Sequence, residues 1–107
     1  MRKPALTPDA IRLIAERFKV LAEPARLQIL NVLRSGERTV TELVNETGLG
    51  QANVSKHLGL LHAHNFVSRR KEGVSVYYML AESVDELCDI MTSQLKAHTT
   101  SRRRALT

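Results

Sequence analysis

A stretch with two glycines divides residues 39–63 into two short helices, and this division constrains the fold more than any other feature. Thr39 and Glu42 match a capping box, in which the threonine side chain accepts from a backbone amide and the glutamate reaches back to the cap residue. The helix that they open is expected to stop at Gly48. A further helix is expected over residues 51–63. The resulting order of short helix, glycine-containing turn and second helix is the helix-turn-helix layout.

The second of these helices has two unlike faces. Val54, Leu58 and Leu61 fall within a narrow sector and are expected to face the core. The opposite side carries small residues and one cation: Ala52, Ser55, Lys56 and Gly59. Such a face lets the helix backbone approach another surface closely, as docking into a DNA major groove requires. The donors to bases or phosphates expected near its amino end are Gln51, Asn53 and Ser55. An ordinary amphipathic helix is the alternative that this pattern alone leaves open.

A basic β-hairpin is predicted directly after this helix. Residues 66–70 alternate like a strand, residues 71–73 form the turn, and residues 74–80 are rich in β-forming side chains. Three consecutive cations are expected around its tip: Arg69, Arg70 and Lys71. A helix-turn-helix followed by such a hairpin is a winged helix, whose wing contacts phosphates or the minor groove. Charges that protect a hairpin edge from aggregation are the alternative, which explains one lysine better than three consecutive cations.

The first helix is apolar on two sides. Thr7-Pro8-Asp9 is a helix start, since threonine caps, proline suits the first position and aspartate favours the amino end. One apolar stripe follows with helical spacing: Ile11, Ile14, Ala15, Phe18, Leu21 and Ala22. Leu13 and Val20 project from nearly the opposite side. A small domain rarely covers both sides of a helix, so a second copy of the chain is the expected partner.

Two more helices complete the predicted fold. Residues 25–33 form a helix dense in apolar side chains, and residues 81–98 form the last one, opened by a second capping box at residues 83–86. The stripe of the last helix is Val84, Leu87, Cys88, Met91 and Leu95. We therefore expect a mainly α fold with a β-hairpin wing, about five helices, and a homodimer formed through the first and last helices.

The net charge of +5 is unevenly distributed. Residues 51–80 carry four cations and a single acidic residue, Glu72, whereas residues 81–101 carry four acidic residues against Lys96. The acidic last helix is not expected to face DNA. The chain is divided accordingly into one domain over residues 1–101 and a basic tail over residues 102–107, which is expected to be disordered and includes Arg102–Arg104.

Composition excludes several classes of protein. With 107 residues the chain suits one domain, and no apolar run approaches the roughly 20 residues of a membrane span. No secretory signal is visible, and the single cysteine fits a reducing cytoplasm, where we expect the protein to be. No phosphate-binding glycine loop, nucleophile motif or placed acid–base pair indicates an enzyme. Neither a catalytic residue nor a cofactor is therefore predicted.

Four ordered segments resemble the ArsR-type (ArsR/SmtB) bacterial repressors. They are Leu21–Leu30 (LAEPARLQIL), Thr41–Leu43 (TEL), Val54–Leu58 (VSKHL) and Val76–Leu80 (VYYML). Each segment alone is weakly specific, but the ordered set is strongly so, and the likeness runs from about Phe18 to Leu87. The resemblance implies a homodimeric winged-helix repressor that leaves double-stranded operator DNA when a small inducer, here unknown, binds. A winged-helix protein-interaction module without specific DNA binding is the alternative.

The metal and redox sites of that family do not carry over to this sequence. Thr39 and Thr41 occupy the positions of its Cys-x-Cys pair, and hydroxyls do not replace thiolates for soft metals. The positions of its second metal site hold Glu82, Val84, Leu95 and His98, of which two are aliphatic. Its dithiol sensors need two cysteines, and this chain has one. No metal site is therefore predicted.

A few chemically versatile side chains stay as candidates. Cys88 lies in the apolar stripe of the last helix, where core packing is the simpler role and redox sensing the alternative. His57 is included among the candidate DNA contacts, although a ring bonded to nearby backbone is the preferred interpretation. A metal site combining His62, His64 and His98 would need ligands that the sequence does not bring together.

Overall fold

The structure, a computed structural model, describes the backbone of residues 2–106 and the side chains of residues 2–98. Over these residues the chain forms five helices and one antiparallel pair of strands, as the sequence predicts. The helices are α1 (Pro8–Leu21), α2 (Pro24–Leu33), α3 (Val40–Thr47), α4 (Gln51–Ala63) and α5 (Glu82–Leu106). The strands, β1 (Val67–Glu72) and β2 (Ser75–Leu80), lie between α4 and α5.

Local signals in the sequence set the ends of the first helices. Thr7 caps α1, since its hydroxyl accepts a hydrogen bond from the amide of Ala10 at 3.1 Å. The predicted capping box of α3 is confirmed: the Thr39 hydroxyl accepts from the Glu42 amide at 3.2 Å, and Glu42 Oε1 accepts from the Thr39 amide at 2.9 Å. Gly48 ends α3 with φ 74°, a left-handed conformation that glycine adopts without steric cost.

One apolar cluster holds the elements together. Its buried members are Val20, Ile29, Leu30, Leu33, Leu43, Val54, Leu58, Leu61, Phe66, Val67 and Val84. Every helix and the first strand contribute at least one of them. The stripe predicted for α4 is confirmed, because Val54, Leu58 and Leu61 are each fully buried. Its burial fixes the opposite side of α4 toward solvent.

The hairpin differs from the prediction at its tip. β1 and β2 pair continuously from Val67 with Leu80 to Glu72 with Ser75, so the turn is formed by Gly73 and Val74 instead of residues 71–73. Gly73 has φ 61°, as the first central residue of a tight hairpin turn requires. Lys71 therefore belongs to a strand and not to the turn.

A backbone bridge joins the hairpin to the helical part. The amide of Arg38, in the loop between α2 and α3, donates to the carbonyl of Tyr78 at 3.1 Å, and the Tyr78 amide donates back at 2.8 Å. The free edge of β2 is thereby paired to the segment that leads into α3. The resulting arrangement is a winged helix-turn-helix.

The last helix begins at Glu82, one residue after the predicted start at residue 81, and runs further than predicted. Because α5 starts at Glu82, the predicted cap Ser83 lies inside its first turn and does not act as a cap. Asp85 is instead held by Arg34, the residue that follows α2, whose Nε donates to Asp85 Oδ1 at 2.9 Å and whose Nη2 donates to Asp89. The hydrogen bond with Asp85 raises the pKa of Arg34 above its ordinary value.

The carboxyl-terminal part of α5 departs from the predicted end near residue 98, since the helix continues through Leu106. The predicted domain boundary after residue 101 therefore falls within a helix. The side chains of the predicted tail, residues 102–107, lie outside the described residues, so the role of that tail stays a prediction.

The apolar stripe predicted for α1 lies mostly on the surface of the single chain. Ile11 and Phe18 of this stripe are each more than half exposed. Of the two residues expected on the opposite side, Val20 is buried in the core, whereas Leu13 is also more than half exposed. Met91 and Leu95 of α5 are exposed to a similar degree. Helices α1 and α5 therefore leave apolar surface uncovered.

No helix among the described residues is long and apolar enough to cross a membrane.

Truncation of the α4 stripe should destabilise the fold. We expect Leu58→Ala to lower the free energy of unfolding by about 2–5 kcal/mol, because it opens a cavity in a fully buried site. Leu60→Ala, two residues away but 37% exposed, is the matched control and should cost about 0.5 kcal/mol. Urea unfolding at one protein concentration measures both, and equal losses would contradict the packing described.

The capping box should make stability depend on acid pH. The Thr39 amide donates to Glu42 and lowers the pKa of that carboxyl below its ordinary value. Its stabilisation is therefore complete above about pH 5, beyond the ordinary pKa of glutamate, and is lost as the pH falls through the lowered pKa. We expect the free energies of unfolding of the wild type and Glu42→Gln to converge as the pH falls from 6 to about 3. A pH-independent difference would show that ionised Glu42 contributes nothing.

Candidate nucleic-acid interface

One face of α4 is exposed and carries almost no bulk. The side chains predicted to face away from the core are all exposed: Ala52, Ser55, Lys56 and Gly59. Gln51 and Asn53, at the amino end of the same helix, are exposed as well. Because Ala52, Ser55 and Gly59 are small and the only bulky member of the face, Lys56, is flexible, the axis of α4 can approach a partner surface closely.

The backbone amides at the amino end of α4 are not capped by a side chain. Gly50 occupies the cap position, and no side chain accepts from the first amides of the helix. Those amides and the helix dipole give the end a partial positive charge that favours an anionic partner such as a phosphate. Gln51 and Asn53 lie in this first turn and can donate beside the amides.

His57 is turned toward the protein rather than toward the open face. Its side chain is half-buried, and its Nδ1 lies 3.3 Å from Nη1 of Arg26. Because a guanidinium can only donate, Nδ1 is the acceptor in this pair. Arg26 Nε in turn donates to the carbonyl of Val20 in α1. The sequence predicts a structural ring bonded to nearby backbone, whereas the partner of Nδ1 is an arginine side chain that is itself bonded to backbone.

The carboxyl end of α4 is held by α1. Arg17 Nη1 donates to the carbonyl of His64 at 2.8 Å, and its guanidinium carbon lies 4.3 Å from the ring centroid of Phe66. His64 stacks on Phe66 and bonds through Nδ1 to the carbonyl of Leu60 at 3.0 Å. A cation at this end complements the helix dipole. Together with Arg26, Arg17 ties α4 to α1 at two points.

The three wing cations do not share one face. Successive side chains of a strand point to opposite faces, so Arg69 and Lys71 lie on one side of β1 and Arg70 on the other. Among the described residues, Arg69 and Lys71 form no ion pair, whereas Arg70 pairs with Glu37 and Glu72. The sequence brings three cations together, and the structure separates them.

The candidate sensing residues are dispersed. Cys88 is half-buried and packs at the edge of the core. Thr39 is engaged as the cap of α3, and Val84 is buried in the core. Within the described residues, no group of three or more histidine, cysteine or acidic side chains is placed to hold a metal ion.

An apolar groove of about 550 Å³ runs between α1, α2 and α5. Phe18 and Leu27 line one side of it, and Cys88, Met91 and Leu95 line the other. Several of these residues belong to the stripes that the sequence assigns to the first and last helices.

Sequence reasoning missed the arginines that orient the interface, namely Arg17, Arg26 and Arg34, and also Glu37. Arg26 and its partner His57 are 31 residues apart, and Arg17 and the His64 carbonyl are 47 apart. No local pattern marks such pairs. For Arg17 and Arg26 the signal in the sequence is a charge within a helix that is otherwise rich in apolar residues, and Arg34 and Glu37 carry no such signal.

A family model described as bacterial regulatory protein, arsR family, matches residues 23–69. This range covers α2, the helix-turn-helix and the start of β1.

Two curated relatives show how far the sequence likeness extends. The chain is 41% identical over 71 residues to the uncharacterized HTH-type transcriptional regulator Rv0081 of Mycobacterium tuberculosis, which covers 65% of this chain and 62% of the relative. It is 37% identical over 79 residues to a probable mercury resistance operon repressor of Streptomyces lividans, which covers 74% and 61%. The matched part thus spans less than two thirds of the length of these relatives.

Solved structures match over more of the chain. The crystal structure of Rv0081 has a TM-score of 0.82 with 34% identity and covers 91% of this chain and 98% of that one. A homodimeric winged helix-turn-helix DNA-binding domain from Mycobacterium bovis has a TM-score of 0.77 with 30% identity and covers 91% and 94%.

Proposed function

Because this chain belongs to the arsR family of bacterial regulatory proteins, we propose that it is a sequence-specific DNA-binding regulator of transcription. It acts as a homodimeric repressor that leaves its operator when a small signal binds, and it works in the cytoplasm, where bacterial DNA lies. The observation that carries this proposal is the exposed, small-residue face of α4 with its uncapped amino end. A protein-interaction module needs no such close approach of a helix backbone, and the named relatives do not favour it.

The proposed contacts divide by chemistry. Gln51, Asn53 and Ser55 supply hydrogen bonds to base edges or nearby phosphates from the amino half of α4. Lys56, Arg69 and Lys71 supply positive charge to the phosphate backbone. Ala52 allows the close approach. His57 is bonded to Arg26 and contributes to the placement of α4 instead of touching DNA.

The exposed apolar faces of α1 and α5 support a homodimer. Phe18 of α1 and Leu95 of α5 line the same groove and are each more than half exposed. Burying such surface against a second copy removes it from water at a gain of roughly 25 cal/mol per Å². The relative from Mycobacterium bovis, a homodimer by its description, supports the same assembly.

The salt dependence of DNA binding tests the proposed interface. We expect Arg69→Ala and Lys71→Ala each to weaken binding to any duplex and to lower the slope of log Kd against log salt by about 1.8, because each removes one phosphate contact of about 0.9 from both subunits of the dimer. Asn53→Ala should instead cost about 1–3 kcal/mol on the preferred sequence and little on others. Fluorescence anisotropy with a duplex selected by the wild type from a random pool measures all three.

The control for these variants is Arg12→Ala, which removes an exposed cation of α1 that is paired with Asp9 and Glu16. Its salt slope should equal that of the wild type. A wild type whose retention on duplex DNA is insensitive to salt would contradict the proposed function.

A charge in the apolar groove should break the dimer. We expect the wild-type chain of 12.0 kDa to sediment at twice that mass, and Phe18→Glu to sediment as a monomer because a carboxylate cannot be buried unpaired. Val74→Glu, at a fully exposed apolar residue of the wing tip, is the control and should stay dimeric. Circular dichroism confirms that each variant keeps its helices. A wild type that is monomeric at all concentrations would overturn this part of the proposal.

A further inference from the structure

The guanidinium of Arg70 is enclosed by groups of its own chain. Its Nε and Nη2 donate to the two carboxylate oxygens of Glu37 at 3.0 and 2.6 Å, and its Nη1 donates to Glu72 Oε2 at 2.7 Å. The guanidinium carbon also lies 4.5 Å from the ring centroid of Tyr77. We call Glu37, Arg70, Glu72 and Tyr77 the wing clamp.

The wing clamp combines a bidentate arginine–carboxylate pair with a second carboxylate, an arrangement that holds surface side chains in place. An isolated exposed ion pair contributes little, but a bidentate arginine–carboxylate pair within a network is the exception. The hydrogen bonds from Arg70 lower the pKa of Glu37 below its ordinary value, so this carboxylate is ionised at neutral pH. Two carboxylates and one aromatic face account for most of the donors and the flat surface of Arg70.

The clamp joins parts of the chain that are distant in sequence. Glu37 lies in the loop between α2 and α3, 33 residues from Arg70. The next residue, Arg38, makes the backbone bridge to Tyr78 and donates from Nε to Glu46 of α3 at 2.7 Å. This loop therefore holds β1 through Glu37, β2 through Arg38, and α3 through Glu46. The direction of the wing relative to the helix-turn-helix is set at these contacts.

The clamp occupies one face of the wing and leaves the other free. Arg70, Glu72 and Tyr77 lie on the face opposite to that of Arg69 and Lys71. Arg70 could reach a phosphate on the side of Arg69 only by giving up its bonds to Glu37 and Glu72. Its location and its bonds thus differ from those of the two neighbouring cations.

We propose that Arg70 is a positioning residue that fixes the wing against the helix-turn-helix, and that Arg69 and Lys71 alone supply the phosphate contacts of β1. This inference rests on the proposed DNA-binding function. It assigns a role to Glu37 as well: an acidic side chain beside a DNA-binding surface strengthens DNA binding, because it holds the wing in place.

The direction in which Glu37→Ala changes the affinity for DNA separates this proposal from the alternative that Arg70 contacts a phosphate. If Arg70 is a phosphate contact that Glu37 partly neutralises, Glu37→Ala frees a cation and tightens DNA binding. If Arg70 is a positioning residue, the same substitution weakens binding although it makes the protein more positive. Removing a carboxylate by itself favours binding to negatively charged DNA. A loss of affinity in Glu37→Ala can therefore not come from the change in net charge.

The experiment measures Kd and salt slope by anisotropy for Glu37→Ala, Arg70→Ala and their double variant, with Arg69→Ala as the matched control. The probe is the duplex selected by the wild type from a random-sequence pool. We expect each single variant to weaken binding about threefold or more. The double variant should weaken it no further, because each single substitution already removes the pair between Arg70 and Glu37. Their salt slopes should equal that of the wild type, whereas Arg69→Ala, which removes one contact from each subunit, should lower the slope by about 1.8.

A second measurement, without DNA, reads the clamp itself. Amide hydrogen exchange of Arg38 and Tyr78 should be faster in Glu37→Ala and Arg70→Ala and unchanged in Arg69→Ala, because only the first two release the bridged loop. Thermal unfolding confirms that the variants are folded.

Three results would overturn the inference: tighter binding by Glu37→Ala, a salt slope of Arg70→Ala that falls by about 1.8, or unchanged exchange in both clamp variants. In each case wild-type binding still stands, so the proposed function survives. A wild type without salt-dependent DNA binding would instead overturn the proposed function, and the inference that rests on it.

Discussion

The burial of one apolar stripe on α4 is the interaction on which the rest of the structure depends. A helix of 13 residues is marginal on its own in water, so its place in the fold comes from packing. Val54, Leu58 and Leu61 are fully buried, and each such side chain stabilises the packed state by about 1.5–3 kcal/mol. Because this stripe can face only the core, the face of α4 that meets solvent is decided at the same time.

Arg17 and Arg26, which lie on other helices, fix the position of α4 more closely than the buried stripe does alone. Hydrophobic contact has little directionality, and it restrains rotation of α4 better than sliding along its axis. Arg17 at the carboxyl end and Arg26 beside His57 act through hydrogen bonds, which depend on direction and distance. Arg17 belongs to α1, and Arg26 of α2 also donates to the carbonyl of Val20 in α1, so both arginines connect α4 with the helix that carries the proposed dimer surface. The two functional surfaces of the chain are thus attached to a common helix.

The sequence predicts features that depend on neighbouring residues and misses those that depend on distant ones. The α3 capping box, the α4 stripe and the number of helices follow from local spacing and are confirmed. Ser83 looks like a cap by the same rule, but α5 begins before it at Glu82, and Arg34, just after α2, holds Asp85. The three wing cations look alike in sequence because Glu37, the partner that sets one of them apart, is 33 residues away. The pairing with Glu37 and Glu72 distinguishes Arg70 from Arg69 and Lys71.

The tight turn at Gly73 and Val74 has a consequence for how the wing can vary in length. The pairing of β1 with β2 is continuous up to this turn, so the hairpin contains no bulge that could absorb an added residue. A single insertion in β1 would move Arg70 to the face of Arg69 and place a different side chain opposite Glu37. Insertions or deletions in pairs would keep each side chain on its own face. Between Val67 and Arg70 the wing can therefore be lengthened or shortened without exchanging its two faces only in steps of two residues per strand.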